Sequence, residues 1–173
     1  MIERQWLPQG VTMPTRFENT GERLSTFADV FYIRCPSCGD CATVRQIARD
    51  IAHDFAVHEV SGPDMWIGGN TFARRICTNC GHIKDVKTNG YAHGDATDWY
   101  FNLPLWFQAP CCGETLWAYN RPHLAYLKRY VEADLRDECS YPDTGLARYL
   151  PKWMKAAKNR DEVLKCIQKL MQA

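Results

Sequence analysis

Four cysteines in this chain are spaced to share one metal ion. Cys35-Pro36-Ser37-Cys38-Gly39 and Cys77-Thr78-Asn79-Cys80-Gly81 repeat a single Cys-x-x-Cys-Gly pattern. Two residues between cysteines let the backbone reverse so that both thiolates of a pair point at one ion. Two such pairs, separated by a segment long enough to fold back, supply a tetrahedral set. Glycine after the second cysteine permits a positive φ without a Cβ clash and leaves room for backbone N–H groups to donate to sulfur. Pro36 presets φ at the start of the first turn. Four thiolates suit Zn²⁺, with iron as the alternative. A set of four also leaves no open coordination position, so the expected role is structural, not catalytic.

The other cysteines are less patterned. Cys41 extends the first pair to Cys-x-x-Cys-x-x-Cys, the start of a ferredoxin-like run that lacks its fourth member. It reads either as a substitute ligand or as a spare thiol, and His82 reads as a substitute ligand or a neighbour of the site. Cys111 and Cys112 are adjacent, and side chains of adjacent residues diverge. Cys112 with Gly113 reads as half a knuckle seeking a partner such as Cys139, or as an ordinary thiol on a turn. Cys139 and Cys166 fall on expected helices and read as small packed residues.

No second chemistry emerges. His53, His58, His82, His93 and His123 form no His-Glu-x-x-His, and neither a phosphate-binding glycine loop nor Gly-x-Ser-x-Gly occurs. His93-Gly94-Asp95 with Asp98 reads as a solvated loop. The expectation is a protein that is not an enzyme.

The elements that must position the cysteines follow from periodicity. Val30 to Ile33 reads as a strand feeding the first cysteine pair, and Thr71 to Ile76 as one entering the second, with Ile83 to Val86 leaving it. Between them, Val44, Ile47, Ala48 and Ile51 favour a short helix over Ala42 to Ala52, and Phe55 to Val60 alternates as a strand. Ser61 to Asp64, Gly68 to Asn70 and Asn89-Gly90 read as turns. Trp99 to Phe107 reads as a buried strand with Pro104 at an edge or bulge, paired after a turn with Thr115 to Tyr119. Residues 1 to about 28 form an irregular lead-in that Trp6, Leu7, Phe17 and Phe27 anchor.

Beyond residue 119 the period becomes helical. Asn120 is the expected N-cap, and Leu124, Leu127, Val131 and Leu135 form one face of a helix of about 16 residues. A second helix covers Leu146 to Ala157, interrupted or restarted at Pro151. Asn159 and Glu162 form a capping-box pattern for a last helix carrying Val163, Ile167 and Leu170. The fold class is therefore α+β, with an antiparallel β domain over 1–119, its metal knuckles at 35–39 and 77–81, and a helical subdomain over 120–173 packed on it.

Composition bounds the partners. The 173 residues are 46% hydrophobic and 24% charged, with six Trp, eight Tyr and seven Phe, which describes an aromatic-rich globular chain. Nine cysteines, an odd number, fit a reducing compartment better than a disulfide framework. With no basic leader followed by an apolar run and no membrane-length segment, the expectation is a cytoplasmic protein. A net charge of +1 argues against a whole-chain nucleic-acid binder. Charge is uneven, though. From Arg148 onward seven basic residues oppose Asp161 and Glu162, leaving that segment at +5 and the rest at −4. Arg148, Lys152, Trp153, Lys155 and Lys158 are the candidate contacts to nucleic acid or to an acidic partner, against the simpler reading of a solvated helix face.

The two Cys-x-x-Cys-Gly segments resemble the knuckles of the zinc-ribbon superfamily over roughly residues 30 to 90. The stretches Cys111 to Asn120 and Leu150 to Lys155 resemble small bacterial zinc-ribbon-containing proteins that are loosely transcription-factor-like. This resemblance implies a bacterial cytosolic protein with structural zinc and a nucleic-acid-binding or protein-binding role, and no particular activity. Of the two, another protein is the expected partner, with a small inhibitor or immunity protein that masks a toxin as the concrete form. A nucleic-acid-binding regulator using the ribbon and the 148–173 helices is the alternative.

Overall fold

The computed structural model describes residues 14–49, 57–59, 71–88, 94–136 and 145–173. The turns read at 61–64, 68–70 and 89–90, along with Trp6, Leu7, His53, His93 and Cys139, lie outside them. The described chain mixes helices with antiparallel sheet, as the α+β expectation requires. Its strands are β1 (Arg16–Phe17), β2 (Val30–Arg34), β3 (Cys41–Arg49), β4 (Val57–Glu59), β5 (Thr71–Ile76), β6 (Ile83–Thr88), β7 (Phe107–Cys111), β8 (Glu114–Ala118) and β9 (Leu135–Arg136). Its helices are α1 (Arg121–Glu132), α2 (Leu146–Tyr149), α3 (Lys152–Lys155) and α4 (Arg160–Met171).

The main sheet runs β2-β3-β5-β6, all antiparallel. Ile47 pairs with Phe72 on one side of β3 and with Glu59 on the other, so β4 continues the edge that β2 begins. Over residues 42–49 the expected helix is instead the strand β3; residues 50–52 of that reading lie outside the described ones. Its misleading spacing has a physical cause. Ala42 and Val44 are buried on one face of the sheet, while Ile47, at odd offset, is buried on the opposite face. A strand covered on both faces mimics a three-residue helical step.

Trp99 to Phe107 is not a strand either. Regular pairing begins only at Phe107, and Asp98 holds the preceding residues in a loop. Its carboxylate accepts from the backbone N–H of Tyr100 (2.9 Å), Phe101 (2.7 Å) and Leu103 (2.8 Å), while Asn102 takes a positive φ of 54°. Asp98, read from sequence as solvated, is fully buried. Pro104 contributes an isolated bridge to Thr97, and Leu105 one to Ile33. The loop delivers Trp99 to the core, where its indole N–H donates to the Tyr119 hydroxyl at 2.9 Å and both rings pack against Phe31.

β7 and β8 form a hairpin whose two turn residues, Cys112 and Gly113, both have positive φ, at 53° and 79°. That is the turn whose twist matches paired strands. Pro110 is tolerated in β7 because a two-stranded ribbon has only edges. Asn120 caps α1 as expected: its Oδ1 accepts from the His123 N–H at 3.0 Å. The same side chain, fully buried, donates through Nδ2 to the carbonyls of Phe27 and Val30, joining the helix start to the head of β2.

α1 ends at Glu132, four residues short of expectation. Leu135, instead of joining the helix face, is 47% exposed in β9, which pairs in parallel with β1. The second helix is split as Pro151 suggests, into α2 and α3. α4 buries Val163, Ile167 and Leu170 as the stripe requires, but the capping box does not form. Asn159 Nδ2 donates to the Trp153 carbonyl, and Glu162 reaches Cys112. One contiguous core runs across residue 119, from Phe17, Phe27 and Phe31 through Tyr119 to Tyr126, Tyr130 and Ile167.

Candidate metal centre

The two Cys-x-x-Cys turns are the tips of adjacent hairpins. Residues 35–40 connect β2 to β3, and residues 77–82 connect β5 to β6. Because β3 and β5 are neighbours in the sheet, the tips lie side by side. Each turn closes on its own backbone, with Cys35 N–H donating to Asp40 O at 2.7 Å and Cys77 N–H to His82 O at 3.0 Å. Gly39 and Gly81 take φ of 78° and 70°, as the sequence pattern demands, and a Cβ at either would meet open space.

This places the Sγ atoms of Cys35, Cys38, Cys77 and Cys80 within 4.8 Å of one another. Cys35 and Cys80 are 3.8 Å apart, and Cys38 and Cys77 are 3.6 Å apart. A tetrahedron with metal–sulfur bonds of about 2.3 Å has edges of about 3.8 Å, so the spacing has the right size for a shared ion. Cys35 and Cys77 are buried, while Cys38 and Cys80 face solvent, giving an ion a way in from one side.

The protons of this cluster are unequally held. Desolvation pushes the Cys35 thiol up, but donation from the backbone N–H groups of Ser37 and Cys38, joined by the Cys77 and Cys38 thiols, outweighs it and brings the pKa down to about 6. At Cys80 the His82 N–H favours the thiolate. Desolvation and the sulfurs of Cys38, Cys77 and Cys35 outweigh it, pushing the pKa up to about 12. Cys35 therefore gives up its proton more easily than Cys80, where thiolate charge accumulates with nothing to balance it. A divalent cation would supply that balance. The Asn79 side-chain amide donates to Cys38 Sγ at 3.8 Å, and Cys77 Sγ lies at the same distance from the Cys41 carbonyl.

Among the described residues, neither Cys41 nor His82 belongs to this group of four. Burial, the Asp40 carboxylate and the Cys77 sulfur push the Cys41 thiol up to about 11, so it is a protonated neighbour; its carbonyl, not its sulfur, faces the cluster. Cys111 and Cys112 do converge, contrary to the divergence expected of adjacent side chains, because the positive φ at Cys112 turns both sulfurs to one side, 3.9 Å apart.

The basic candidates are dispersed. Lys152 and Lys155 sit on α3, a single helical turn, and Lys158 on the 3-10 turn that follows an extended Ala156. Lys155 Nζ donates to the Arg148 carbonyl at 2.9 Å, and Arg160 pairs with Asp134 at 2.9 Å. No continuous helical face carries all three lysines. Trp153 is half-buried and, with Trp117, Tyr149, Leu150, Pro151 and Met154, lines an apolar surface cavity of about 290 Å³. Tyr149, at its rim, is 69% exposed.

Sequence reasoning overlooked Asp98, Glu162 and His123. Asp98 carries a legible signal, an acidic side chain two to five residues before the N–H groups it accepts. Glu162 offered only a helix-cap pattern and Cys166 a packed position, because their surroundings depend on where a distant hairpin tip lands. His123 is buried against Phe27, with ring centroids 4.9 Å apart, and its Nδ1 accepts from the Tyr119 N–H. Among the described residues no helix is long and apolar enough to cross a membrane. No family model matches the chain, and neither a curated protein nor a solved structure matches it at significance.

Proposed function

We propose that this chain is a non-enzymatic protein-binding module whose sheet is clamped by one structural Zn²⁺ on Cys35, Cys38, Cys77 and Cys80, built as a zinc ribbon. The sulfur spacing supports zinc, and four thiolates leave no position for a substrate or a water. When bound, the ion supplies the charge that stabilises all four thiolates and links the β2–β3 hairpin tip to that of β5–β6.

The observation that carries the protein-partner reading is the apolar cavity between α2, α3 and β8, rimmed by the exposed Tyr149 and floored by Trp117 and Trp153. Aromatic pockets of this kind seat an apolar side chain of a partner. A small inhibitor or immunity protein is the concrete form we favour, in keeping with the chain's size. The basic segment, by contrast, spreads its lysines over separate turns and satisfies Lys155 internally, which weakens the nucleic-acid alternative.

A mobility-shift series over salt separates the two readings. Nucleic-acid binding that falls steeply with salt, and that is lost when Lys152, Lys155 and Lys158 become Glu, would overturn the protein-partner reading. In support, a protein co-purifying from the native cell is expected to be lost with Tyr149→Ser and retained with the lysine variants. Zinc itself is checked by elemental analysis: full occupancy in the Ser variants of all four cysteines would refute the site.

A further inference from the structure

We propose that Cys111 and Cys112, with Glu162, form a second and exchangeable divalent-metal site at the junction of the β7–β8 hairpin tip and α4. The Sγ atoms of Cys111 and Cys112 and a carboxylate oxygen of Glu162 all lie within 4.8 Å of one another. Two independent features build this cluster. The turn at Cys112 and Gly113, with φ of 53° and 79°, brings two sulfurs from adjacent residues to one side at 3.9 Å. A left-handed cysteine is uncommon, and backbone of this kind concentrates at functional positions.

Glu162 forgoes the capping position that its sequence offers. Its Oε1 instead accepts from the Cys112 N–H at 2.9 Å, fixing the carboxylate over the turn. Cys166 lies one helical turn beyond Glu162, on the same face of α4. Its thiol donates to the Pro110 carbonyl at 3.7 Å and borders the group of three without joining it. Cys111 is buried, Cys112 and Cys166 are half-buried and Glu162 is exposed, so the group is covered below and open above, as an exchangeable site requires.

Two thiolates and one carboxylate suit Zn²⁺ or Cd²⁺, with a fourth position left to solvent. As the ion enters, the two thiols release two protons to the buffer and Glu162 contributes a carboxylate oxygen. With fewer sulfurs and a position open to solvent, this site exchanges metal faster than the four-cysteine cluster. It does not depend on the protein-binding reading or on the first site being filled.

The full chain, refolded with excess Zn²⁺ and then desalted, would be assayed for zinc per chain beside its Cys112→Ser and Glu162→Ala variants, with Cys41→Ser as a control outside both clusters. The expected result is one zinc per chain fewer in each of the two site variants than in the wild type and the control, with far-ultraviolet dichroism unchanged. Zinc is also expected to protect Cys112 of the wild type from alkylation. Equal zinc counts in all four proteins, or alkylation of this thiol at the same rate with and without zinc, would overturn the proposal. The alkylation arm decides the matter even if a variant fails to fold.

Discussion

His123 makes the stability of this protein sensitive to acid in a calculable way. The imidazole is buried at 2% exposure beneath Phe27, Trp117 and Tyr119, and accepts the Tyr119 N–H. Desolvation lowers its pKa from 6.5 to about 3. The unfolded chain therefore takes up the proton first, and stability present above pH 6.5 is lost as pH falls toward 3. Between pH 7 and pH 4.5 the loss is about 2.5 kcal/mol, approaching about 4.8 kcal/mol below pH 3. The perturbation is His123→Gln, which is neutral at every pH in this range and retains an acceptor. Urea unfolding of both proteins would be followed from pH 7 to pH 4.5 by tryptophan fluorescence. Loss of any bound metal on acidification would be common to both chains and cancels in their difference, as does any constant cost of the substitution. The difference in unfolding free energy is expected to shrink by about 2.5 kcal/mol across the range, with the wild type losing more. Parallel pH profiles would refute the reasoning and would mean that water in the adjoining cavity hydrates the imidazolium.

Other perturbations test other parts of the structure. Asp98→Ala removes the acceptor of three backbone N–H groups in the buried loop and is expected to cost about 3 kcal/mol or more, measured by chemical denaturation. Asn120→Ala loses the α1 cap and strands the carbonyls of Phe27 and Val30; about 3 kcal/mol is expected, read from the same curves. Gly39→Ala places a Cβ in open space but at φ 78°, so backbone strain of about 1–2 kcal/mol is expected with the zinc count unchanged. A larger loss accompanied by reduced zinc would show that the first turn cannot close around an alanine.

What the sequence made legible was local. Cys-x-x-Cys-Gly specifies its own turn, and both glycines adopt the positive φ that their position implies. Asn120 starts a helix where it should. Each signal is carried by residues that touch each other within a few positions. The strand β3 was misread because burial on two faces erased its alternation, and that burial comes from partners far along the chain. The loop at Asp98 was hidden for a related reason: an aromatic run reads as a strand until one carboxylate is known to collect its N–H groups. Glu162 shows the same limit more sharply. Its sequence context offered a helix cap, and only the folded chain brings the Cys112 N–H, fifty positions earlier, within reach. The cavity, too, has walls contributed by α2, α3 and β8, which no single periodicity could announce.

The short parallel pairing of β1 with β9 sets the order in which this chain can finish folding. Thr15 donates through both its N–H and its hydroxyl to Asp134, a partner 119 positions away, and Arg160 holds that carboxylate from α4. Closing so long a loop costs about 2 kcal/mol more than closing one of ten residues. During synthesis the segment around Phe17 therefore waits, its ring uncovered, until Tyr126, Tyr130 and the helices beyond them have emerged. The two cysteine turns, closed by neighbouring hairpins, can form well before that. The hairpins that carry the two cysteine turns would thus close early and the pairing of Thr15 with Asp134 late, leaving a nascent intermediate whose exposed face is the one Phe17 later covers.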